Sequence, residues 1–163
     1  FFMLIFVHFG WGKPVEINPT NFNRKRSMSA QEAIVAFAGP LMNILIAIVL
    51  TIVLCTIGKF APGFALTKVG FFIVLTIQLA IQVNIGLGVF NLVPLPPLDG
   101  SKILMHFLPY NAKTWFKNNE NTFYIIFLVL WITNIVSYII DPVITVTSNG
   151  IYALVSGIFG LFG

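Results

Sequence analysis

Long uncharged apolar runs alternate with short basic segments along most of the chain. The run over 33–57 is long enough, at 1.5 Å per residue, to cross about 30 Å of hydrocarbon, so it predicts a transmembrane helix. Gly39-Pro40 interrupts it near its start, which a membrane helix tolerates when neighbours satisfy the freed carbonyl. Before it, SAQE at 29–32 predicts the helix N-terminus, with Ser29 as cap and Glu32 at the third helical position. A second uncharged run covers 69–98, and its first part predicts a helix over 68–90. NLVPLPPLDG then follows at 91–100, where Pro94, Pro96 and Pro97 each remove an N–H and restrict the residue before them. An irregular loop is therefore expected over 91–100. A third span is predicted over 122–140, ended by Asp141-Pro142, and a short Gly-rich apolar helix over 151–162. The opening FFMLIFVHFGWG is too short to span and reads as the tail of a transmembrane helix over 1–12. Residues 13–32 are too polar to cross and read as a loop on the cytoplasmic side.

Composition narrows the class. Of 163 residues, 58% are hydrophobic and 9% charged, against roughly 25% charged in a soluble domain. A free soluble fold and a disordered chain are both excluded, since disorder needs low hydrophobicity and high charge. The expected fold class is all-α: a polytopic transmembrane helix bundle with a proline-broken segment. The net charge of +4 does not point to nucleic acid, because the basic residues fall between apolar runs without aromatics interleaved for base stacking. Cys55 stands alone inside an apolar run, which excludes an internal disulfide, a CxxC pair and a cysteine-rich zinc site. Lys13, Arg24, Lys25 and Arg26 precede the first full span, and Lys59 and Lys68 separate it from the second. Lys102, Lys113 and Lys117 lie between the second and third. Alternating sides places the loop after Asp99 on the positive, cytoplasmic face.

Only Asp99, among the acids Glu16, Glu32, Asp99, Glu120 and Asp141, directly follows a long uncharged run at a broken helix. A carboxylate in a membrane segment is costly and marks a functional site by default. The plainer reading is a turn in which Asp99 caps a helix reaching Leu108. The residues present do not complete a metal site. His106 lies seven residues beyond Asp99, about 10 Å along a helix, too far to share one ion. His8, in an aromatic apolar stretch, reads as a polar group satisfied within the bundle. No H-E-x-x-H occurs, and no two His stand at helical spacing.

Three blocks in this order, FGWGKPVEINPTNF, AGPLMN at 38–43 and FNLVPLPPLDGSKIL at 90–104, resemble the site-2 protease family of intramembrane zinc metalloproteases. The closest match is to its short bacterial members without PDZ or CBS domains. The NLxPxPPLDG block, with Asn eight positions before Asp, is the specific signal. The resemblance implies a multi-pass protein of the bacterial cell membrane, Zn(2+) as cofactor and transmembrane protein segments as substrates. It makes Asp99 the third zinc ligand, beside two His of an H-E-x-x-H helix that belongs upstream of Phe1. The chain thus reads as a fragment lacking that helix. It makes Asn91 the amide that hydrogen-bonds substrate near the scissile carbonyl, where such a donor contributes on the order of 3 kcal/mol. Without the resemblance, Asn91 reads equally as a helix C-cap. Pro94, Pro96, Pro97 and Gly100 would shape the loop presenting Asp99. Gly39, Pro40 and Asn43 read as structural, Asn43 through an interhelical hydrogen bond worth roughly 0.6 kcal/mol. A substrate helix must expose its backbone to be cut, and 13–22 is a candidate edge for it to pair with. The competing classes are a non-catalytic scaffold, a transporter-like protein using Asp99 as an ion site, and an inactive homologue that binds without cutting.

Overall fold

The computed structural model describes residues 27–161. Among these, the chain is helical throughout apart from short connections: α1 (Met28–Phe60), a 3-10 turn (Phe64–Leu66), α2 (Lys68–Asn91), α3 (Asp99–Phe107), α4 (Tyr110–Asn118), α5 (Glu120–Ile132) and α6 (Ile135–Leu161). The fold is an all-α bundle. Three of its helices are long and apolar enough to cross a membrane: Met28–Phe60, Lys68–Asn91 and Ile135–Gly160. Their surfaces are apolar almost all round, with Val49, Phe72, Leu79 and Val83 exposed, as lipid-facing helices require.

α1 and α2 pack along most of their lengths, α3 lies against α1, and α6 touches both α1 and α2. Ala47 of α1, Ile81 and Ile85 of α2, and Ile151 and Val155 of α6 form the buried core. A small residue on α1 lets branched side chains from α2 fill the space, which is how membrane helices gain dispersion energy without a hydrophobic drive. Thr51 is fully buried there and donates to Ala47 O at 2.8 Å, so its hydroxyl costs nothing.

Several boundaries differ from the sequence reading. α1 starts a turn earlier, and its cap is Ser27, whose hydroxyl accepts from the Ala30 amide at 3.3 Å. Ser29 instead lies inside the helix. The helix expected over 122–140 is two. α5 stops at Ile132, and the break falls at Asn134, whose φ of 62° is left-handed. Asn tolerates that region better than other residues with a Cβ, so it can end a helix there. Asp141-Pro142 ends nothing: Pro142 sits inside α6, costing one backbone bond in a helix of 27 residues. The short apolar helix expected over 151–162 is not a separate element, since residues 151–161 continue α6. The segments 1–12 and 13–22 and His8 lie outside the described residues.

Candidate metal and substrate site

The site is built where α2 ends. Asn91 is its last residue and Leu92 the C-cap. The chain then descends through tight turns: Val93 N donates to Phe90 O at 3.1 Å, Leu95 N to Val93 O at 2.8 Å, and Leu98 N to Leu95 O at 2.9 Å. These bonds avoid the prolines, which have no N–H to give. Pro96 and Leu98 are buried and anchor the loop, while Pro94 and Pro97 are exposed.

α3 begins at Asp99. Leu98 is its N-cap and makes no side-chain capping bond. The capping reading of Asp99 therefore does not hold, because the carboxylate belongs to the first helical residue. There it complements the positive end of the helix dipole, worth roughly 0.3–1 kcal/mol. Ser101 is buried and secures the turn by donating from its hydroxyl to Leu98 O at 2.7 Å. Asp99 Oδ1 accepts from Lys102 Nζ at 3.1 Å, an i,i+3 pair with both side chains partly exposed. Its other oxygen, Oδ2, points at α1, where a Cβ on Gly39 would stand 3.7 Å away.

Glycine is required at position 100. A Cβ there would overlap the carbonyl oxygens of Leu92 and Val93, so α3 sits directly on the end of α2. Gly88, one turn before, brings α2 against α1: a Cβ there would meet Ile44 Cδ1 at 3.0 Å and Pro40 O at 3.2 Å. Pro40 is fully buried at this crossing. Gly39, Pro40, Gly88, Asp99 and Gly100 thus converge on one end of the bundle. Asn91 is half-buried beside the loop, and its amide makes no hydrogen bond with another described residue. It does not act as a cap. Asn43 likewise makes no interhelical hydrogen bond among the described residues, so its expected bond is not found there. Phe90 packs edge-on to Trp131 at 5.1 Å, tying α5 to the residue before Asn91.

Sequence reasoning missed Gly88, whose signal was the GLG spacing in an apolar helix. It also missed the contact of Ser29 Oγ with His106 Nδ1 at 3.4 Å, which turns that imidazole towards α1. No sequence signal pairs residues so far apart.

As a zinc ligand Asp99 fits singly: it is an accessible carboxylate with one oxygen unpaired among the described residues and a glycine opposite it. Among the described residues no group of three His, Cys, Asp or Glu comes together. The described part supplies one ligand.

The sequence profile of peptidase family M50 matches residues 65–133, the stretch holding α2, the proline loop and Asp99. The chain is 30% identical over 161 residues to "Putative zinc metalloprotease YwhC" of Bacillus subtilis (strain 168), covering 96% of this chain and 70% of that protein. The chain belongs to peptidase family M50. A second relative, "Putative zinc metalloprotease MJ0611" of Methanocaldococcus jannaschii, is 37% identical over 70 residues, 43% of this chain and 31% of the relative. No solved structure matches. The site-2 protease resemblance is thus the correct family, and this M50 chain is a membrane protein.

Proposed function

We propose that this chain is the part of a zinc-dependent intramembrane endopeptidase that contributes one metal ligand and binds the substrate backbone. The observation that carries the reading is the LDG carboxylate. Asp99 stands at the first residue of α3, at the mouth of a proline loop, with Oδ2 turned towards Gly39 and unpaired among the described residues. The remaining ligands, an imidazole pair, come from a segment outside residues 27–161. When bound, the metal polarises the scissile carbonyl and makes a water nucleophilic near neutral pH.

The chain's own residues do the rest. Gly100 fixes α3 on the end of α2 and so sets where the Asp99 backbone stands. Asn91 offers an uncommitted amide N–H to the substrate carbonyl oxygen, where charge grows during attack. Leu92 and Pro94 are exposed at a non-helical stretch, the kind of backbone an unwound substrate can lie along. The protein is multi-pass, with the site towards the positive, cytoplasmic side and transmembrane segments as substrates. A non-catalytic homologue is the second reading, favoured by the Lys102 ion pair, which neutralises Asp99 without a metal.

The test uses the full-length protein reconstituted with a transmembrane substrate. Asp99→Asn is expected to lower cleavage by about 100-fold or more and to reduce zinc content, with helicity unchanged. Asn91→Ala is expected to lower cleavage by about 100-fold at full zinc content. Normal cleavage and zinc in Asp99→Asn would overturn the protease reading.

A further inference from the structure

α4 carries Lys113 and Lys117 and no acid. It is short, basic and two-faced: Phe116 is buried and stacked on Phe123 at 4.5 Å, while Trp115 is 60% exposed. Tyr110 at its start is 81% exposed, and Phe107, just before, 77%. Exposed aromatics beside lysines at the ends of apolar helices mark the headgroup level of a bilayer.

Between α4, Met105 of α3 and the first turn of α1 lies a cavity of about 310 Å³, at the lower end of the range for small-molecule sites. Lys113 and Lys117 both line it, four residues apart and so neighbours on one helix face. Neither forms an ion pair with a described residue; Lys102, by contrast, is engaged with Asp99. Tyr110 adds a phenol hydroxyl that can donate to an oxyanion, whereas Thr114 donates to Tyr110 O at 3.1 Å and Ser29 Oγ contacts His106 Nδ1. Glu32 is the one acid in the lining, leaving a formal excess of positive charge from two lysines against one carboxylate.

We propose that this cavity binds the phosphate of an anionic phospholipid headgroup, of the phosphatidylglycerol class, through Lys113 and Lys117. Tyr110 and Trp115 stand at the acyl boundary beside it. A lipid rather than a free phosphate is the occupant, because the charged lining is bordered by the exposed rings of Tyr110 and Trp115, on a helix that lies in the chain between two spans long and apolar enough to cross a membrane. The charge distribution along the chain places this face on the cytoplasmic side, where surface lysines attract anionic lipid. Glu32 opposes the phosphate and limits its affinity. The site is independent of the metal ligands, so it stands or falls apart from the protease reading.

The experiment follows Trp115 fluorescence in the full-length protein with every other tryptophan, Trp11 and Trp131 among them, replaced by Phe. The protein is reconstituted in phosphatidylcholine vesicles doped with spin-labelled phosphatidylglycerol or, in parallel, spin-labelled phosphatidylcholine at equal mole fraction. Labelled phosphatidylglycerol is expected to quench Trp115 more strongly. Replacing each lysine (Lys113→Gln, Lys117→Gln) should lower that preference by about fivefold, the equivalent of roughly 1 kcal/mol per basic residue near a membrane surface. Glu32→Gln should raise it. Equal quenching by the two lipids overturns the proposal, as does a preference that survives loss of both lysines. A fall in preference with Glu32→Gln also overturns it, since removing a carboxylate from the lining of a phosphate site can only favour the anion there.

Discussion

The two halves of α1 are packed by different means. Beyond Ala47 the helix meets branched side chains: Ile81 and Ile85 from α2, Ile151 and Val155 from α6. Before it, glycine and backbone enter the contacts, with Gly88 against the Pro40 carbonyl as well as the Ile44 side chain, and Gly39 facing Asp99. A side-chain core has rotamers and can relax when an atom is added or removed. A carbonyl oxygen in a helix cannot step aside without moving its whole turn. The half that carries the candidate site is therefore the stiffer one, which suits a carboxylate that must be aimed at a metal. The core half supplies affinity between helices and needs no such precision.

The largest effect that tests this contrast is expected at Gly100. In Gly100→Val the new Cβ overlaps the Leu92 and Val93 carbonyls, and relief requires lifting α3 off the end of α2. We expect a loss of about 4 kcal/mol, the upper end for overpacking, together with loss of bound zinc. Thermal unfolding in detergent and elemental analysis of the full-length protein measure both. Gly58→Ala is the control, since nothing lies within 4 Å of its Cβ position. A Gly100→Val protein that melts with the wild type would remove the claim of rigidity.

How much of this was legible beforehand follows from the same contrast. The uncharged runs gave α1 and α2 to within a turn or so, because length and absence of charge are one-dimensional signals. The NLVPLPPLDG block gave the loop and Asp99 for a similar reason: prolines act on their own neighbours. The end of the third span was misplaced, since a proline in an apolar helix is weaker punctuation than it looks. Asn134, with nothing in the sequence to flag its left-handed φ, decides the break instead. The meetings of Gly39 with Asp99 and of Ser29 with His106 bring together residues far apart in the chain. Periodicity carries no information on which helix faces which, so those contacts had to be seen.

A smaller effect is expected in the soft half. Ile85→Ala removes a fully buried side chain between α1 and α6, and the cavity should cost about 2 kcal/mol. Zinc content should stay at the wild-type level, because Asp99 is not held by this cluster. Equal losses of stability and zinc would mean that the halves are mechanically one.

The mildest change, Gly88→Ala, sits on the boundary between the two. Its Cβ would meet Ile44 Cδ1 at 3.0 Å and Cγ1 at 3.2 Å, atoms that a rotamer change can withdraw. It would also meet Pro40 O at 3.2 Å, which no rotamer can move. Alanine regains roughly 0.5–1 kcal/mol of helix propensity, so the net destabilisation should be only about 1 kcal/mol. Combining it with Ile44→Val separates the two contacts. If Ile44 is the obstacle, the double variant regains its melting temperature and its zinc. If the Pro40 carbonyl is the obstacle, Ile44→Val restores nothing, α1 is displaced near Gly39, and zinc binding falls along with stability. The backbone-packed description of this half requires the second outcome, and full rescue by Ile44→Val would return the crossing to ordinary side-chain packing.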